Sequence, residues 1–295
     1  NKRFVKYSML KILFSISPAI LILLFFYFKD KFREPPIHVF QAFFLGIMIV
    51  LPVVLVNEIF YYDFCWNKIQ GSYFGKSVYN HLSRVAFQEE LWKFLILFFF
   101  FSHLMEEPMD GIVYGVAVSL GFSAYENIDY VFRADKFNIS WTYMSFVRIL
   151  PTFMHFVTGA FMGLFIALNL LYYKNKNNYF YIFFLSVVFH ASYNVFLDFF
   201  FYSTIFILFI AVTAMFYFYK LISKEQIKNL KELDKIPEEF KSNPERLFYP
   251  DPSKAKIKDI VFPITSVFIL VHLIAAITLF ISPNLTPEIY PILEK

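Results

Sequence analysis

The chain has 295 residues, 58% of them hydrophobic and 22% aromatic, and only 17% charged, which is too apolar for a domain with a fully solvated surface. Its formal charge of +4 is too small to argue for nucleic acid, and its single cysteine, Cys65, excludes an intrachain disulfide and a cysteine-rich metal site. Such a composition describes an integral membrane protein whose partners are the lipid bilayer and other membrane segments.

A helix crossing about 30 Å of hydrocarbon needs roughly 20 mostly apolar residues. Segments of that kind fall near 9–28, 37–60, 84–103, 109–132, 143–173, 179–199, 202–221 and 260–281. The first lacks a small-residue cleavage site and is long enough to stay in the membrane, so it reads as a span and not as a signal peptide. The third and fourth are joined by a short loop at His103 to Asp110, which makes them an antiparallel hairpin. The fifth is overlong with Pro151 near its start, which predicts a tilt, a kink or a preceding interfacial turn. The boundary between the sixth and seventh is soft. Between 220 and 259 the charges alternate in KEQIKNLKELDKIPEEFK and prolines follow at Pro244, Pro250 and Pro252, predicting a solvated helix and then an extended linker. The expected fold is therefore one all-α polytopic membrane domain over 1–295 with about eight transmembrane helices and one sizeable extramembrane piece at 220–259.

Four of the spans carry polar clusters: Glu89 and Glu90 with Lys93, Glu126 with Asn127, His155 with Gly159, and His190 with Asn194. Ionisable groups inside a bilayer cost roughly 2.5–3.5 kcal/mol each, so they are paired, wet or functional. At about 1.5 Å per residue, Glu89 lies roughly 21 Å from the hairpin loop and Glu126 roughly 24 Å from it. His190 lies on the order of 17 Å beyond the YYKNKNN loop by the same rise, and His155 falls some way inside the membrane on the same side. All four clusters share one half of the bilayer. Residues four apart share a helix face, so Glu89 is expected to pair with Lys93, and His190 to stack with Asn194 and, less closely, with Asp198. Gly111, Gly115 and Ser119 precede Glu126, and Gly159 and Gly163 follow His155, which are small-xxx-small faces suited to close helix packing.

Two carboxylates and two imidazoles at one level support hydrolysis in two ways. A glutamate can take a proton from water while a histidine and Asn194 stabilise the oxyanion. Alternatively, Glu126, His155 and His190 can hold a divalent metal that lowers the pKa of bound water. Because no histidine pair has the compact spacing of H-E-x-x-H, the metal-free route is favoured, with no cofactor expected and zinc as the alternative.

The ordered set Glu89-Glu90-x-x-Lys93, Phe122-x-x-x-Glu126-Asn127, His155-x-x-x-Gly159 and His190-x-x-x-Asn194, each on its own span, resembles the PrsW family of intramembrane proteases. That family is related to the CAAX-processing and bacteriocin-immunity membrane proteases. The resemblance covers about 78–198, which it marks as the catalytic helix core. In the wider group the second motif ends in a histidine where this chain has Glu126. The resemblance implies Glu89 as base, positioned by Glu90 and Lys93, and His190 with Asn194 as the oxyanion site. Glu126 with Asn127 and His155 would be further active-site or metal-binding groups. It also implies a single-span membrane protein as substrate, by analogy with site-1 cleavage of an anti-sigma factor.

Each cluster taken singly has a plainer reading, since glutamates and lysines near a span end reach water and a lone buried histidine is usually a packing residue. Their shared level tips the balance to a site. A non-enzymatic membrane scaffold and a proton-coupled transporter are the competing functions; the intact Glu89-Glu90 pair argues against the first, and the absence of repeated halves against the second. The expected location is the cell membrane as a multi-pass protein. Basic residues near span ends lean toward a cytoplasmic 220–259 segment and a site open to the outside, with the basic N-terminus arguing the other way.

Overall fold

The computed structural model describes residues 2–63 and 73–233, and all the regular structure among them is helical. The expected span at 260–281, and the polar segment beyond 233, lie outside the described residues. Helix α1 (Lys2–Lys29) is followed by α2 (Pro36–Met48) and α3 (Val50–Asp63). The last two are one span interrupted at Ile49: Pro52 has no N–H to offer the preceding turn, and Ile49 N–H turns to Gly46 O at 3.3 Å.

A helical rod then runs from Tyr73 to Leu104, built from α4 (Tyr73–Tyr79) and α5 (Phe87–Ile96) with π-helical turns over Asn80–Ala86 and Leu97–Phe101. π-Turns inside α-helices often sit beside functional sites. Here the first ends three residues before Glu89. Helix α6 (Pro108–Arg133) starts with Pro108 in its first turn and a capping box in which the Asp110 carboxylate accepts the Glu106 and Glu107 N–H groups at 2.8 and 2.9 Å.

The overlong fifth span resolves into a short α7 (Trp141–Val147) and α8 (Ile149–Leu168), which ends in a π-turn at Asn169–Tyr173. The break falls at Arg148, and Pro151 sits in the first turn of α8, where its missing N–H leaves nothing unpaired. Helices α9 (Lys176–Phe199) and α10 (Phe201–Leu233) follow. Helix α10 joins the expected seventh span to the solvated helix without interruption, because nothing between Phe201 and Leu233 is a glycine or proline.

Five of these segments are long and apolar enough to cross a membrane: Tyr7–Lys29, Pro36–Asn57, Trp141–Tyr173, Lys176–Phe199 and Phe201–Lys228. The eightfold count is thus not reproduced among the described residues. Helix α6 fails the apolar criterion for a physical reason: every residue from Met109 to Ala124 is buried, so small and polar side chains replace lipid-facing ones. Helices α6 and α8 form the centre of the bundle, and outer helices present Leu21, Phe40, Leu51, Phe180 and Phe209 outward, as a hydrocarbon environment requires.

The two central helices meet along the predicted small-residue faces. A Cβ added at Gly115 would fall on the Gly159 carbonyl, and one at Gly163 on the Gly111 carbonyl. On the opposite face of α6, Gly121 meets the Phe43 backbone and Gly46 of α2 meets Val118. Gly163→Leu is therefore expected to lower stability by about 3 kcal/mol, read as a fall in thermal midpoint of the purified protein; an unchanged midpoint would exclude this close helix contact.

Candidate active site

Four helices deliver the sequence clusters to one buried place. Glu90 of α5 accepts from Lys93 at 2.8 Å, one helical turn on, and both side chains are fully enclosed. Lys93 Nζ also lies 3.0 Å from His155 Nδ1 on α8 and 4.8 Å over the Phe122 ring of α6. The expected pairing of Glu89 with Lys93 is corrected here. The lysine takes the i−3 carboxylate, from which it also reaches His155 of α8, and makes no ion pair with Glu89.

His190 of α9 sits between the two glutamates, with Nδ1 2.8 Å from Glu90 Oε1 and Nε2 3.9 Å from Glu89 Oε2. The His155 and His190 rings meet edge to face at 5.2 Å. Glu126 of α6 lies 3.0 Å from His155 Nε2. Each imidazole therefore has one nitrogen on a carboxylate, the arrangement that fixes the orientation of metal-binding and catalytic histidines.

Arg148, at the break between α7 and α8, holds the next layer. Its Nη2 donates to Glu126 Oε2 at 2.5 Å and its Nε to Asn127 Oδ1 at 2.9 Å. Asn127 in turn donates to Thr152 Oγ1 at 2.8 Å and to the Ser15 carbonyl of α1 at 3.2 Å. Asn127 thus faces the supporting layer. Arg148 and Thr152 were not singled out in the sequence, although Arg148 is the only lysine or arginine in 143–173, and an isolated cation in an apolar span signals a buried partner.

The side chain of Asn194, one turn beyond His190, makes no hydrogen bond among the described residues. Asp198 is drawn away from this set, bonding Ser77 at 2.6 Å and His81 at 2.8 Å on the rod.

The electrostatic balance is uneven. Lys93 matches Glu90 and Arg148 matches Glu126. Glu89 has no lysine or arginine in ion-pair contact among the described residues, and its buried Oε2 has no hydrogen-bond partner. Ligand atoms of Glu89, His155 and His190 all lie within 4.8 Å of one another. One carboxylate and two imidazoles are the donor types of catalytic zinc sites, while the two His155 nitrogens already meet Lys93 and Glu126. Glu126, the carboxylate expected from the sequence to join the histidines, is instead engaged by Arg148 and His155, and Glu89 takes its place in the converging set.

Comparison with known proteins bears on this geometry. Residues 34–221 match the family model described as PrsW family intramembrane metalloprotease. The Protease PrsW of Bacillus subtilis (strain 168) is 34% identical over 155 residues, covering 52% of this chain and 65% of that protein. Those of Geobacillus kaustophilus and Oceanobacillus iheyensis are 27% and 30% identical over 177 and 166 residues, covering 59% and 55% of this chain and 73% and 71% of their own lengths. The chain therefore spans about two thirds of the length of these curated relatives. No solved structure matches it significantly.

Proposed function

We propose that this chain, which belongs to the PrsW family of intramembrane metalloproteases, hydrolyses a peptide bond of a membrane-anchored protein at the centre formed by Glu89, His155 and His190. The observation that carries this reading is the unpartnered Glu89 Oε2, buried within reach of two imidazoles. An uncompensated carboxylate in so dry a position is costly unless it meets a cation or a proton.

Glu89, His155 and His190 would hold zinc. Bound there, the metal would lower the pKa of a coordinated water toward 7 and so supply the nucleophile. Glu90 orients His190 through Nδ1, and Glu126 orients His155 through Nε2. Asn194 is the amide on the same face as His190, available to donate to the oxyanion that develops on the substrate carbonyl.

A second reading is favoured by Lys93. Its ammonium lies 3.0 Å from His155 Nδ1 and would repel a metal ion there. In that case Glu89 Oε2 takes the proton of the attacking water directly. Both readings need the anionic oxygen of Glu89. The substrate is a single-span membrane protein, with an anti-sigma factor as the proposed class.

The experiment that tests this is reconstitution of the purified protein in liposomes with a single-span substrate. A pair of fragments cut in or beside the substrate's membrane segment is the expected result. Proton flux without fragments would support a transporter, and neither signal in well-folded protein would support a scaffold.

Arg148 is a positioning residue in this scheme, because it holds Glu126, which holds His155. Arg148→Met is expected to lower the cleavage rate by about 10- to 100-fold and to cost about 3–5 kcal/mol of stability through the unpaired Glu126. Arg148→Lys should recover part of the rate. If the two variants cleave equally slowly at equal thermal midpoints, the charge on Arg148 has no positioning role.

A further inference from the structure

At the end of the bundle away from Glu89, a second buried set has no part in the hydrolytic scheme. Asp110 opens α6 and Glu126 lies near its far end, 16 residues on, which is about 24 Å along the helix. Around Asp110 gather Asp30 from the end of α1, Glu107 from the loop before α6, and Gln226 from α10. Ligand atoms of Asp30, Glu107 and Asp110 lie within 4.8 Å of one another. Glu34 is close by, accepting the Tyr114 hydroxyl at 2.5 Å.

Acidic residues gathered at a surface are common, and this group differs from them in three respects. First, Asp30 and Asp110 are each 1% exposed, and Asp30 Oδ2 and Asp110 Oδ1 have no hydrogen-bond partner. Second, Gln226 is uncharged, 1% exposed and comes from a different helix. Its Nε2 donates to Asp30 Oδ1 at 2.8 Å and to Glu107, which aims the amide into the group, and its Oε1 is unpartnered. Third, none of the ion pairs among the described residues neutralises these carboxylates.

We propose that Asp30, Glu107, Asp110 and Gln226 form a structural site for a hard divalent cation, calcium by preference, that clamps α1, α6 and α10 together. The donors are all oxygen, from carboxylates and a side-chain carbonyl, which suits calcium or magnesium and not zinc. Calcium is preferred because magnesium keeps several of its waters, and two of the three carboxylates, Asp30 and Asp110, are shut off from water. The ion would supply a partner that Asp30 Oδ2 and Asp110 Oδ1 lack. It would also fix the first turn of α6, the helix that carries Glu126 at its other end.

The test uses the full chain in detergent, washed with chelator and then dialysed against radioactive calcium, with thermal unfolding measured in parallel. Expected are one saturable calcium per chain and a rise in thermal midpoint of about 5 °C or more at a hundredfold excess over Kd. Both should be lost in Asp30→Asn and in Asp110→Asn. Asp30→Asn matters most, because Asp110→Asn also weakens the cap of α6. Absence of saturable binding at millimolar calcium, or binding undiminished in both variants, would overturn the site. Tighter binding of magnesium than of calcium would overturn the choice of ion. None of these readouts depends on proteolysis, so the outcome is separate from that of the proposed function.

Discussion

Replacing Glu89 by glutamine is expected to lower cleavage of a reconstituted single-span substrate by about 10³-fold or more, while the protein inserts and unfolds much as the parent does. The change keeps the volume of the side chain and removes only its negative charge. Since Glu89 Oε2 has no hydrogen-bond partner, the substitution breaks no bond at that atom. The matching change at Glu90 behaves differently. Glu90 is enclosed between Lys93 and His190, and Glu90→Gln leaves a buried ammonium without its counter-charge, at a cost of about 3–5 kcal/mol. Loss of activity with retained stability at position 89, against loss of both at position 90, separates a reacting carboxylate from a supporting one. A Glu89→Gln protein that cleaves at the parent rate would remove Glu89 from the chemistry.

His190→Ala carries the second large effect, again about 10³-fold in rate. The imidazole is the link between the two glutamates, at 2.8 Å from Glu90 and 3.9 Å from Glu89. If Glu90 acts through His190, then once His190 is gone the further change Glu90→Gln should cost little additional activity. Groups that act as one unit are strongly non-additive. A double variant whose loss equals the product of the single losses would mean that Glu90 and His190 contribute independently.

Much of this centre was legible in the sequence because the bilayer penalises polarity. Glu89, Glu90, Glu126, His155 and His190 stand out against apolar spans, and helical rise puts them at one depth. The structure brings them together through the expected glycine faces, with Gly111 and Gly115 against Gly163 and Gly159. What one sequence could not supply is the direction of each side chain within its shared depth. Lys93 has carboxylates at both i−3 and i−4, and only the position of His155 across the helix interface decides for Glu90. The same applies to Glu126, whose partner Arg148 lies at the helix break just ahead of Pro151.

The span count diverged for a related reason. Hydropathy rewards apolar side chains, and α6, one of the two central helices, carries glycine, serine and acidic residues where a lipid-facing span would carry apolar ones. The acidic group of Asp30, Glu107 and Asp110 was invisible in the sequence because its members come from separate loops and ends. Only the fold shows that Gln226, nearly two hundred positions from Asp30, closes over them.

The central claim is that Glu89, His155 and His190 together hold a metal for hydrolysis, and the most direct measurement is elemental analysis of active protein before and after chelation. The account predicts about one zinc per chain, cleavage lost on stripping and restored by zinc, and zinc content lowered in Glu89→Gln, His155→Ala and His190→Ala alike. Full cleavage by metal-free protein would contradict it and leave Glu89 as the base of a metal-free reaction.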